Sequence, residues 1–206
     1  MQTSYDALLI DAGTGNLHSV HNAIQAIGFN VRVTADPRDL RAPARIVLPG
    51  VGAFGSFMQG LRARGLVEPL QAAVRRGDPI LGICVGMQAL FELSEEMGQH
   101  PGLGVLAGRV VRFGAMPGLK VPHTGWNQLW PRPDCPLFRG LEPGAYAYFN
   151  HAYYCAPTDP ADAAAHTDYG IHYASAVQRQ NVFGVQFHPE KSQKVGQKVL
   201  ANFLEL

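Results

Sequence analysis

Residues 79–88 of the chain read Pro-Ile-Leu-Gly-Ile-Cys-Val-Gly-Met-Gln. The apolar run from Ile80 to Ile83 predicts a short buried strand, and helical sequence follows Cys84 as far as about Leu93. One glycine stands two residues before the cysteine and another stands two residues after it. This spacing is typical of a nucleophile elbow, in which a reactive side chain sits on a sharp turn from strand to helix, here with a thiol in place of a hydroxyl.

A cysteine at such a turn is a candidate nucleophile for two physical reasons. Neighbours without a Cβ let the backbone bend sharply and let the following helix pack closely. The Cys84 thiol then lies at a helix N-terminus, where free N–H groups and the helix dipole favour the thiolate. The alternative is a core cysteine in a closely packed site, but the two glycines in a strand-to-helix context favour the reactive interpretation.

The composition is that of an ordinary globular protein. With 206 residues, of which 47% are hydrophobic and 16% charged, the chain is long enough for one well-covered core and too apolar to be disordered. We therefore expect a single domain over residues 1–206. A formal net charge of +1 gives no electrostatic reason to expect a nucleic acid or a membrane as a partner.

Two features of the chain predict a cytoplasmic location. The first residues lack the basic, apolar and small-residue succession of a signal peptide, and no apolar run approaches the roughly 18 residues of a membrane span. The three cysteines, Cys84, Cys135 and Cys155, are an odd number, which indicates free thiols in a reducing compartment. We interpret Cys135 and Cys155 as structural.

The order of elements predicts an α/β fold with an open, mostly parallel central sheet flanked by helices, to which the second half of the chain adds antiparallel strands. This arrangement is flavodoxin-like. Strands are predicted at residues 7–10, 29–33, 45–48, 80–83, 108–113, 121–129, 146–154, 171–177 and 182–187, with a polar turn region at 157–169. Helices are predicted at 17–27, around 57–61, at 66–74, after Cys84, and at 192–203, where Ser192 is the expected N-cap.

Ligands of open parallel sheets bind at the carboxyl ends of the strands. The glycine-rich segment 49–55 follows the third predicted strand, so this segment and Cys84 are expected to face one crevice. The loop at 13–16 is also rich in glycine. However, His18 stands where the dinucleotide-binding fingerprint has its third glycine, so nucleotide binding is not expected there.

A nucleophilic cysteine needs a base and then an acid, and one imidazole can serve as both. His188 follows the strand at 182–187 directly and precedes Pro189, which disfavours helical geometry for the residue before it. In an extended segment, residues two apart point the same way, so Glu190 is placed to orient the ring. This pattern alone is weak evidence, because a histidine at a strand end is more often not catalytic.

Two other enzyme classes share parts of this pattern and are disfavoured. Zinc deaminases carry His-x-Glu but also need a Cys-x-x-Cys pair for the metal, and the chain has none. In α/β-hydrolases the acid precedes the histidine, whereas Glu190 follows His188. We expect neither a metal nor an organic cofactor.

Two motifs resemble those of the class I (triad) glutamine amidotransferases. They are residues 82–88, Gly-Ile-Cys-Val-Gly-Met-Gln, and residues 184–192, Gly-Val-Gln-Phe-His-Pro-Glu-Lys-Ser. Within that class, three further segments are similar to the glutaminases of imidazole glycerol phosphate synthase: 13–20, 49–55 and the His-Thr-Gly-Trp-Asn run at 123–127. Relatives that serve other synthases typically carry a Pro-Gly-Gly-Pro-like loop and lack the Gly-Trp-Asn element. The matches run in order from residue 11 to residue 192.

The resemblance implies a role for each matching residue. Cys84 would be the nucleophile, His188 the acid and base, and Glu190 its orienting carboxylate. The two places where the chain departs from the family are Ala152, usually Ser or Thr, and Ala12, commonly aromatic. The other implied residues are Val85, Val51 and Gly52 for the oxyanion, Gln88, Gly50, Ala152 and Tyr153 for the substrate, and Trp126, Asn127 and Lys191 for the partner.

The implied function is the hydrolysis of L-glutamine to glutamate and ammonia. The ammonia would be channelled to a (β/α)8-barrel cyclase, with which the chain forms a heterodimer. That cyclase converts a phosphoribulosyl aminoimidazole-carboxamide ribonucleotide (PRFAR) to imidazole glycerol phosphate and AICAR in histidine biosynthesis, so the complex joins hydrolase and lyase activities.

Two alternatives remain open at this point. The chain could be the glutaminase component of another synthase, of the anthranilate or GMP type. It could also be a flavodoxin-like module without enzymatic activity, in which the cysteine senses redox state.

Overall fold

The computed structural model describes residues 5–115 and 118–206, which form an α/β structure around one large mixed sheet. A path of ten hydrogen-bonded strands runs through this sheet, and three more strands branch from one strand inside this path. The strands are β1 (Ala7–Ile10), β2 (Val31–Thr34), β3 (Ile46–Gly50), β4 (Ile80–Cys84), β5 (Phe91–Ser94), β6 (His100–Pro101), β7 (Leu106–Arg112), β8 (His123–Pro131), β9 (Ala145–His151), β10 (Tyr153–Pro157), β11 (Ala163–Asp168), β12 (His172–Arg179) and β13 (Val182–Val185).

The parallel part of the sheet has the order β2-β1-β3-β4-β13. Strands β1, β3, β4 and β13 are buried along their whole length, as expected for parallel strands that are covered on both faces. In the ladder, Gly50 pairs with Cys84, and Val185 pairs with Ile83. Three strands therefore end together at one edge, which is where the predicted crevice lies.

The second half of the chain adds the antiparallel strands that the sequence predicts. Strand β12 pairs with β13, β10 and β11, and β8 forms an antiparallel hairpin with β9. This hairpin joins the sheet through the pairing of β8 with β11. The predicted fold class is confirmed.

Five α-helices lie within the described residues. Helix α1 contacts α5, and α2 contacts α4, the short helix that follows Cys84. Helix α5 buries its apolar face through Val199, Leu200 and Phe203, as its 3.6-residue periodicity predicts. In the described residues, no helix is both long and apolar enough to cross a membrane. The helices are α1 (Leu17–Ala26), α2 (Phe54–Ala63), α3 (Val67–Arg76), α4 (Val85–Ala89) and α5 (Gln193–Leu204), and short 3₁₀ turns lie at Pro37–Arg41, Pro136–Phe138, Pro160–Asp162 and Pro189–Lys191.

The prediction that the elbow helix continues to about Leu93 was wrong. Helix α4 ends at Ala89, and the chain then enters strand β5, whose Phe91 pairs with Leu106 of β7. Phe91 is fully buried. Pairing with a distant strand has overridden the local helical pattern.

The polar turn region predicted at 157–169 contains a strand instead. Strand β11 begins at Ala163 with three small buried alanines and lies between β8 and β12. Alanine and aspartate have low strand propensity, so the pattern indicated a turn, but hydrogen bonds to both neighbours decide the conformation.

Ser192 stands at the N-cap position of α5, as predicted, but its side chain makes no capping bond. Its hydroxyl donates to the carbonyl of His188 at 2.6 Å and accepts the N–H of Tyr148 at 3.0 Å. Ser192 therefore fixes the segment that carries His188 rather than the start of the helix.

Candidate active site

Cys84 lies on a strained turn between β4 and α4. Its backbone has φ 54° and ψ −111°, a conformation that a residue with a side chain rarely adopts. Such strain persists only where the surrounding structure enforces it, and it is common at functional sites. The elbow predicted from the sequence is confirmed.

The close packing of α4 explains the glycines around Cys84. A Cβ on Gly86 would lie 1.8 Å from the carbonyl oxygen of Leu48, and one on Gly82 would lie 2.6 Å from the carbonyl oxygen of Gly86. Both contacts are with backbone, which cannot move aside. Only glycine therefore lets helix α4 pack this closely against β3 and β4.

A cavity of about 590 Å³ opens at the carboxyl edge of the parallel strands. Cys84 and His188, which are 104 residues apart in the sequence, both line this cavity. Gly50 and Glu190 do not line it, and Trp126 and Asn127 lie elsewhere on β8. The other residues singled out from the sequence that line the cavity are Val51, Gly52, Val85, Gln88, Ala152, Tyr153 and Lys191.

His188 and Glu190 form a buried pair beside this cavity. The Nδ1 atom of His188 lies 2.9 Å from Oε1 of Glu190, and the two side chains are 5% and 1% exposed. The amide of Asn16 donates to the same carboxylate oxygen at 3.4 Å. The backbone N–H of His188 donates to the carbonyl of Tyr148 at 2.9 Å, which holds the segment against β9.

The surroundings of His188 change the pKa of its ring. Burial alone lowers this pKa, but hydrogen bonds with Cys84 and Glu190 outweigh the burial and raise the pKa to about 10. The imidazole is therefore protonated at neutral pH, and each of its nitrogens can donate a hydrogen bond.

An array of amides supports the floor of the cavity next to Cys84. The side-chain N–H₂ of Gln186 points at the sulfur of Cys84 with an N···S distance of 3.6 Å, and its oxygen accepts from Gln88 at 3.2 Å. Gln88 also donates to the carbonyl of Tyr153 at 3.1 Å. The residue that follows β13, helix α4 and strand β10 are thus joined by hydrogen bonds next to the sulfur.

The comparisons with known proteins agree on one family. The family described as "Glutamine amidotransferase class-I" matches residues 8–206. A protein named imidazole glycerol phosphate synthase subunit HisH from Syntrophotalea carbinolica is 48% identical over 95% of this chain and 98% of its own length. A protein of the same name from Synechococcus elongatus is 48% identical over 99% of this chain and 94% of its own. The chain belongs to the class-I glutamine amidotransferases, in the HisH subunit family.

Solved structures confirm the fold of this glutamine amidotransferase. A crystal structure of a glutamine amidotransferase superposes with a TM-score of 0.76 at 20% identity and covers 97% of both chains. The structure of PurLQS from Thermotoga maritima gives a TM-score of 0.74, also at 20% identity and with 97% coverage of both chains. At this identity the likeness concerns the fold alone.

The loop after β3 lies beside the elbow of the amidotransferase, because Gly50 pairs with Cys84 in the sheet. Val51 and Gly52 line the cavity, and Gly52 has φ +86°, in the left-handed region that favours glycine. Gly50 lies behind them, where a Cβ would come within 2.7 Å of both the backbone nitrogen of Gly86 and the ring of Phe57. Gly50 therefore lets the loop approach α4, but it does not border the space in which a ligand would bind.

Three cavity or near-cavity residues were not found by sequence reasoning. Glu96 lines the cavity and accepts the N–H of Phe54 at 2.6 Å, at the start of α2. Gln186 is fully buried beside Cys84, and Asn16 bonds Glu190. Only Gln186 left a signal, since it is a polar residue in an otherwise apolar strand and lies two positions before His188.

The three residues assigned to a partner surface lie in different environments. Trp126 projects outward from β8 and is 47% exposed. The Lys191 amine lies 5.7 Å from the centroid of the Tyr148 ring, at the rim of the cavity. Asn127 points inward instead: its amide donates to the carbonyl of Asp168 at 2.8 Å and lies 3.3 Å from His123.

Proposed function

We propose that the chain hydrolyses L-glutamine with Cys84 as nucleophile and passes the ammonia to the cyclase of imidazole glycerol phosphate synthase. Glutamine hydrolysis within this synthase, in histidine biosynthesis, follows from the HisH relatives at 48 to 49% identity over nearly the whole chain. The observation that carries the assignment of residues is the convergence of Cys84 and His188 on one cavity, with Glu190 behind the histidine.

The reaction would proceed in two halves. The Cys84 sulfur attacks the side-chain amide carbon of glutamine and forms a tetrahedral oxyanion. His188 then donates a proton to the nitrogen, the carbon–nitrogen bond breaks, and ammonia leaves a γ-glutamyl thioester. Water, deprotonated by the now neutral His188, adds to the thioester carbonyl. The carbon–sulfur bond then breaks, which releases glutamate and restores the Cys84 thiolate beside protonated His188.

The oxyanion would be stabilised by backbone N–H groups. Val85 begins helix α4 directly after the nucleophile, so its N–H is one candidate donor. A second N–H would come from Val51 or Gly52, in the loop that follows β3 and lines the same cavity. A glycine-rich loop can reorient a peptide plane at low cost, so we propose that this second donor is set only when the partner is loaded.

Glutamine would be held by several groups that line the cavity. Gln88 and the backbone of Ala152 and Tyr153 would contact the substrate, and Glu96 supplies a carboxylate that suits its ammonium group. Because position 152 is alanine, no hydroxyl contact is available there, and any contact is with its backbone. Gly50 would act only by shaping the loop.

The partner is proposed to be the (β/α)8-barrel cyclase, which converts PRFAR to imidazole glycerol phosphate and AICAR. Ammonia released into neutral water is mostly protonated and unreactive, so direct transfer between two sites is required. Trp126 and Lys191 are proposed to contact the cyclase next to the cavity, and the chain is proposed to act as a single cytoplasmic domain. No cofactor takes part in these steps.

The substitution Cys84→Ala tests this assignment in the assembled synthase. We expect glutamate release to be abolished, whereas the cyclase still forms its product when free ammonia replaces glutamine. Val185→Ala, which shortens a buried strand residue without touching the cavity, serves as a control for general damage. Glutamine hydrolysis that survives in Cys84→Ala would remove the nucleophile from the proposal.

The two alternatives differ in measurable ways. A glutaminase of the anthranilate or GMP type would bind those synthases rather than the barrel cyclase, which a pull-down against each partner distinguishes. A redox-sensing module would keep its function in His188→Ala, whereas the proposed mechanism loses glutamine-dependent activity in that variant.

A further inference from the structure

A buried series of hydrogen bonds leads away from the cavity to strand β8. His151 lines the cavity, and its Nε2 atom lies 3.2 Å from the hydroxyl of Tyr173. The same hydroxyl lies 3.2 Å from Nδ1 of His123, whose Nε2 lies 3.3 Å from the side-chain nitrogen of Asn127. At the cavity end, Nδ1 of His151 lies 2.8 Å from the carbonyl oxygen of Tyr153.

The chemistry of the two ends determines the direction of every bond in this series. The Tyr153 carbonyl can only accept, so His151 carries its proton on Nδ1 and leaves Nε2 to accept from the Tyr173 hydroxyl. The hydroxyl oxygen then accepts from Nδ1–H of His123, and Nε2 of His123 accepts from the amide N–H₂ of Asn127. Both rings must be neutral for this order to hold.

The surroundings of the two histidines keep them neutral. Burial lowers the pKa of His151 to about 3 and that of His123 to about 4. Aromatic rings pack around Tyr173, including Phe113 at a centroid distance of 5.3 Å and Phe149 at 6.4 Å. This packing holds the Tyr173 ring whether or not its hydroxyl is present.

The series ends on the group that orients Gln88. The Tyr153 carbonyl accepts from both His151 and Gln88, and the second amide proton of Gln88 goes to Gln186. With both protons used, the polar atom of Gln88 that remains for a ligand in the cavity is its oxygen, a hydrogen-bond acceptor. The position of the Tyr153 carbonyl thus sets which atom Gln88 presents.

We propose that Tyr173 is a positioning residue for the glutamine cavity: its hydroxyl, held between His123 and His151, fixes the Tyr153 carbonyl and through it the amide of Gln88. Tyr173 is 2% exposed and does not line the cavity, so it acts only through His151. Asn127, on β8 at the other end of the series, donates to His123 and so keeps all the hydrogen bonds of the series pointing the same way. The inference rests on the proposed function, since it concerns binding of the same glutamine.

The variant Tyr173→Phe removes the hydroxyl and leaves the aromatic packing in place. In the assembled synthase we expect KM for glutamine to rise about five-fold or more, because one oriented hydrogen bond is lost, while kcat stays within about two-fold. Tyr154→Phe is the matched control. Its ring also packs on Phe113 and Tyr173, and in the described residues its hydroxyl makes no side-chain hydrogen bond.

Two results separate this inference from the function on which it rests. An unchanged KM in Tyr173→Phe, in a synthase whose unmodified form hydrolyses glutamine, overturns the positioning role alone. Absence of glutamine hydrolysis in the unmodified protein overturns the proposed function.

A second measurement needs no substitution at Tyr173. Imidazole ¹⁵N chemical shifts of the full chain report which nitrogen of each histidine carries the proton. We expect both His123 and His151 as neutral Nδ1–H tautomers, their signals assigned by replacing each in turn with glutamine. An Nε2–H tautomer or a protonated ring at either position contradicts the directed series.

Discussion

The Nδ1 atom of His188 donates to the carboxylate of Glu190 across 2.9 Å, and both residues belong to one short segment that Ser192 fastens to β9. The two residues are therefore held together, and the other ring nitrogen of His188, Nε2, is left to interact with Cys84. Because the carboxylate is buried, its charge acts on the imidazolium with little screening from solvent. Glu190 thus both orients the His188 ring and supplies a negative charge beside it, and a suitable substitution can remove one effect without the other.

Glu190→Gln keeps the size of the side chain and an acceptor for Nδ1–H but removes the charge. We expect kcat for glutamine hydrolysis to fall by about 10²–10⁴-fold, because the imidazolium loses its partner in the proton-transfer steps. KM should change little, since Glu190 does not line the cavity. Steady-state glutamate release measures both constants, with Glu142→Gln at an exposed position as the control. Equal kcat in the two variants would contradict the role of Glu190.

The raised pKa of His188 predicts how stability depends on pH. Its folded-state pKa of about 10 lies above the unfolded value of 6.5, so its contribution to the free energy of unfolding is fully present below about pH 6.5 and is lost as pH rises toward 10. We expect the urea midpoint of the unmodified protein to exceed that of His188→Asn by more at pH 6 than at pH 10. The neutral His123 and His151 remain in both proteins, so their own titrations cancel. If the difference between the two urea midpoints grew with pH, the raised pKa of His188 would be contradicted.

How far the sequence predicts this molecule depends on the range of the interactions. The elbow at Cys84 and the pairing of His188 with Glu190 are local, because a glycine spacing encodes the first and the second joins residues two apart. The pair forms across the 3₁₀ turn at Pro189–Lys191, however, and not along the extended segment that the sequence predicted. Strands β5 and β11 depend on pairing with other strands, β5 with β7 and β11 with both β8 and β12, and their own residues favour a helix and a turn. Glu96 reaches the cavity only because β5 replaces the predicted helix.

The role of Ser192 shows the same limit within the site. Its position before α5 predicts a helix cap, and it does stand at the N-cap position. However, the hydroxyl bonds the His188 carbonyl and the Tyr148 N–H, which only the folded arrangement of β9 brings near. A pattern in sequence predicts which residue stands at a helix end, but competing partners decide what its side chain binds.

Gly86→Ala tests the packing that forces the elbow. The added methyl group would lie 1.8 Å from a backbone oxygen, so we expect a loss of stability beyond the roughly 1–3 kcal/mol usual for overpacking. Gly184→Ala should cost less, since its nearest contact is the flexible side chain of Met87 at 2.6 Å. Gly114→Ala, with nothing within 4 Å, is the control. Urea unfolding should show the largest loss of stability for Gly86→Ala, a smaller loss for Gly184→Ala and the smallest for Gly114→Ala. A Gly86→Ala variant as stable as the unmodified protein would contradict the explanation that close packing requires glycine there.

Trp126→Ala tests the proposed partner surface. Exposed tryptophans at interfaces often contribute about 2 kcal/mol or more, so we expect the affinity for the cyclase to weaken by roughly 10–100-fold. The fold should be unaffected, because the side chain is 47% exposed. Trp130 is equally exposed and lies on the same face of β8, about 13 Å further from the cavity end, so Trp130→Ala should weaken binding less. Calorimetric titration with the cyclase measures both, and equal losses would argue against a contact centred on Trp126.

The loop at Val51 and Gly52 predicts a glutaminase that depends on its partner. If the second oxyanion donor is set only in the loaded complex, the isolated chain should hydrolyse glutamine very slowly, and the cyclase with its ribonucleotide bound should accelerate glutamate release by about 10²–10³-fold, the usual effect of one oxyanion donor. The cyclase without ligand should give a smaller increase. The three rates are measured by coupled detection of glutamate, with Cys84→Ala as the background in each case. Equal rates for the chain alone and for the loaded complex would mean that the oxyanion site is already complete, and the loop would then have no part in coupling the two reactions.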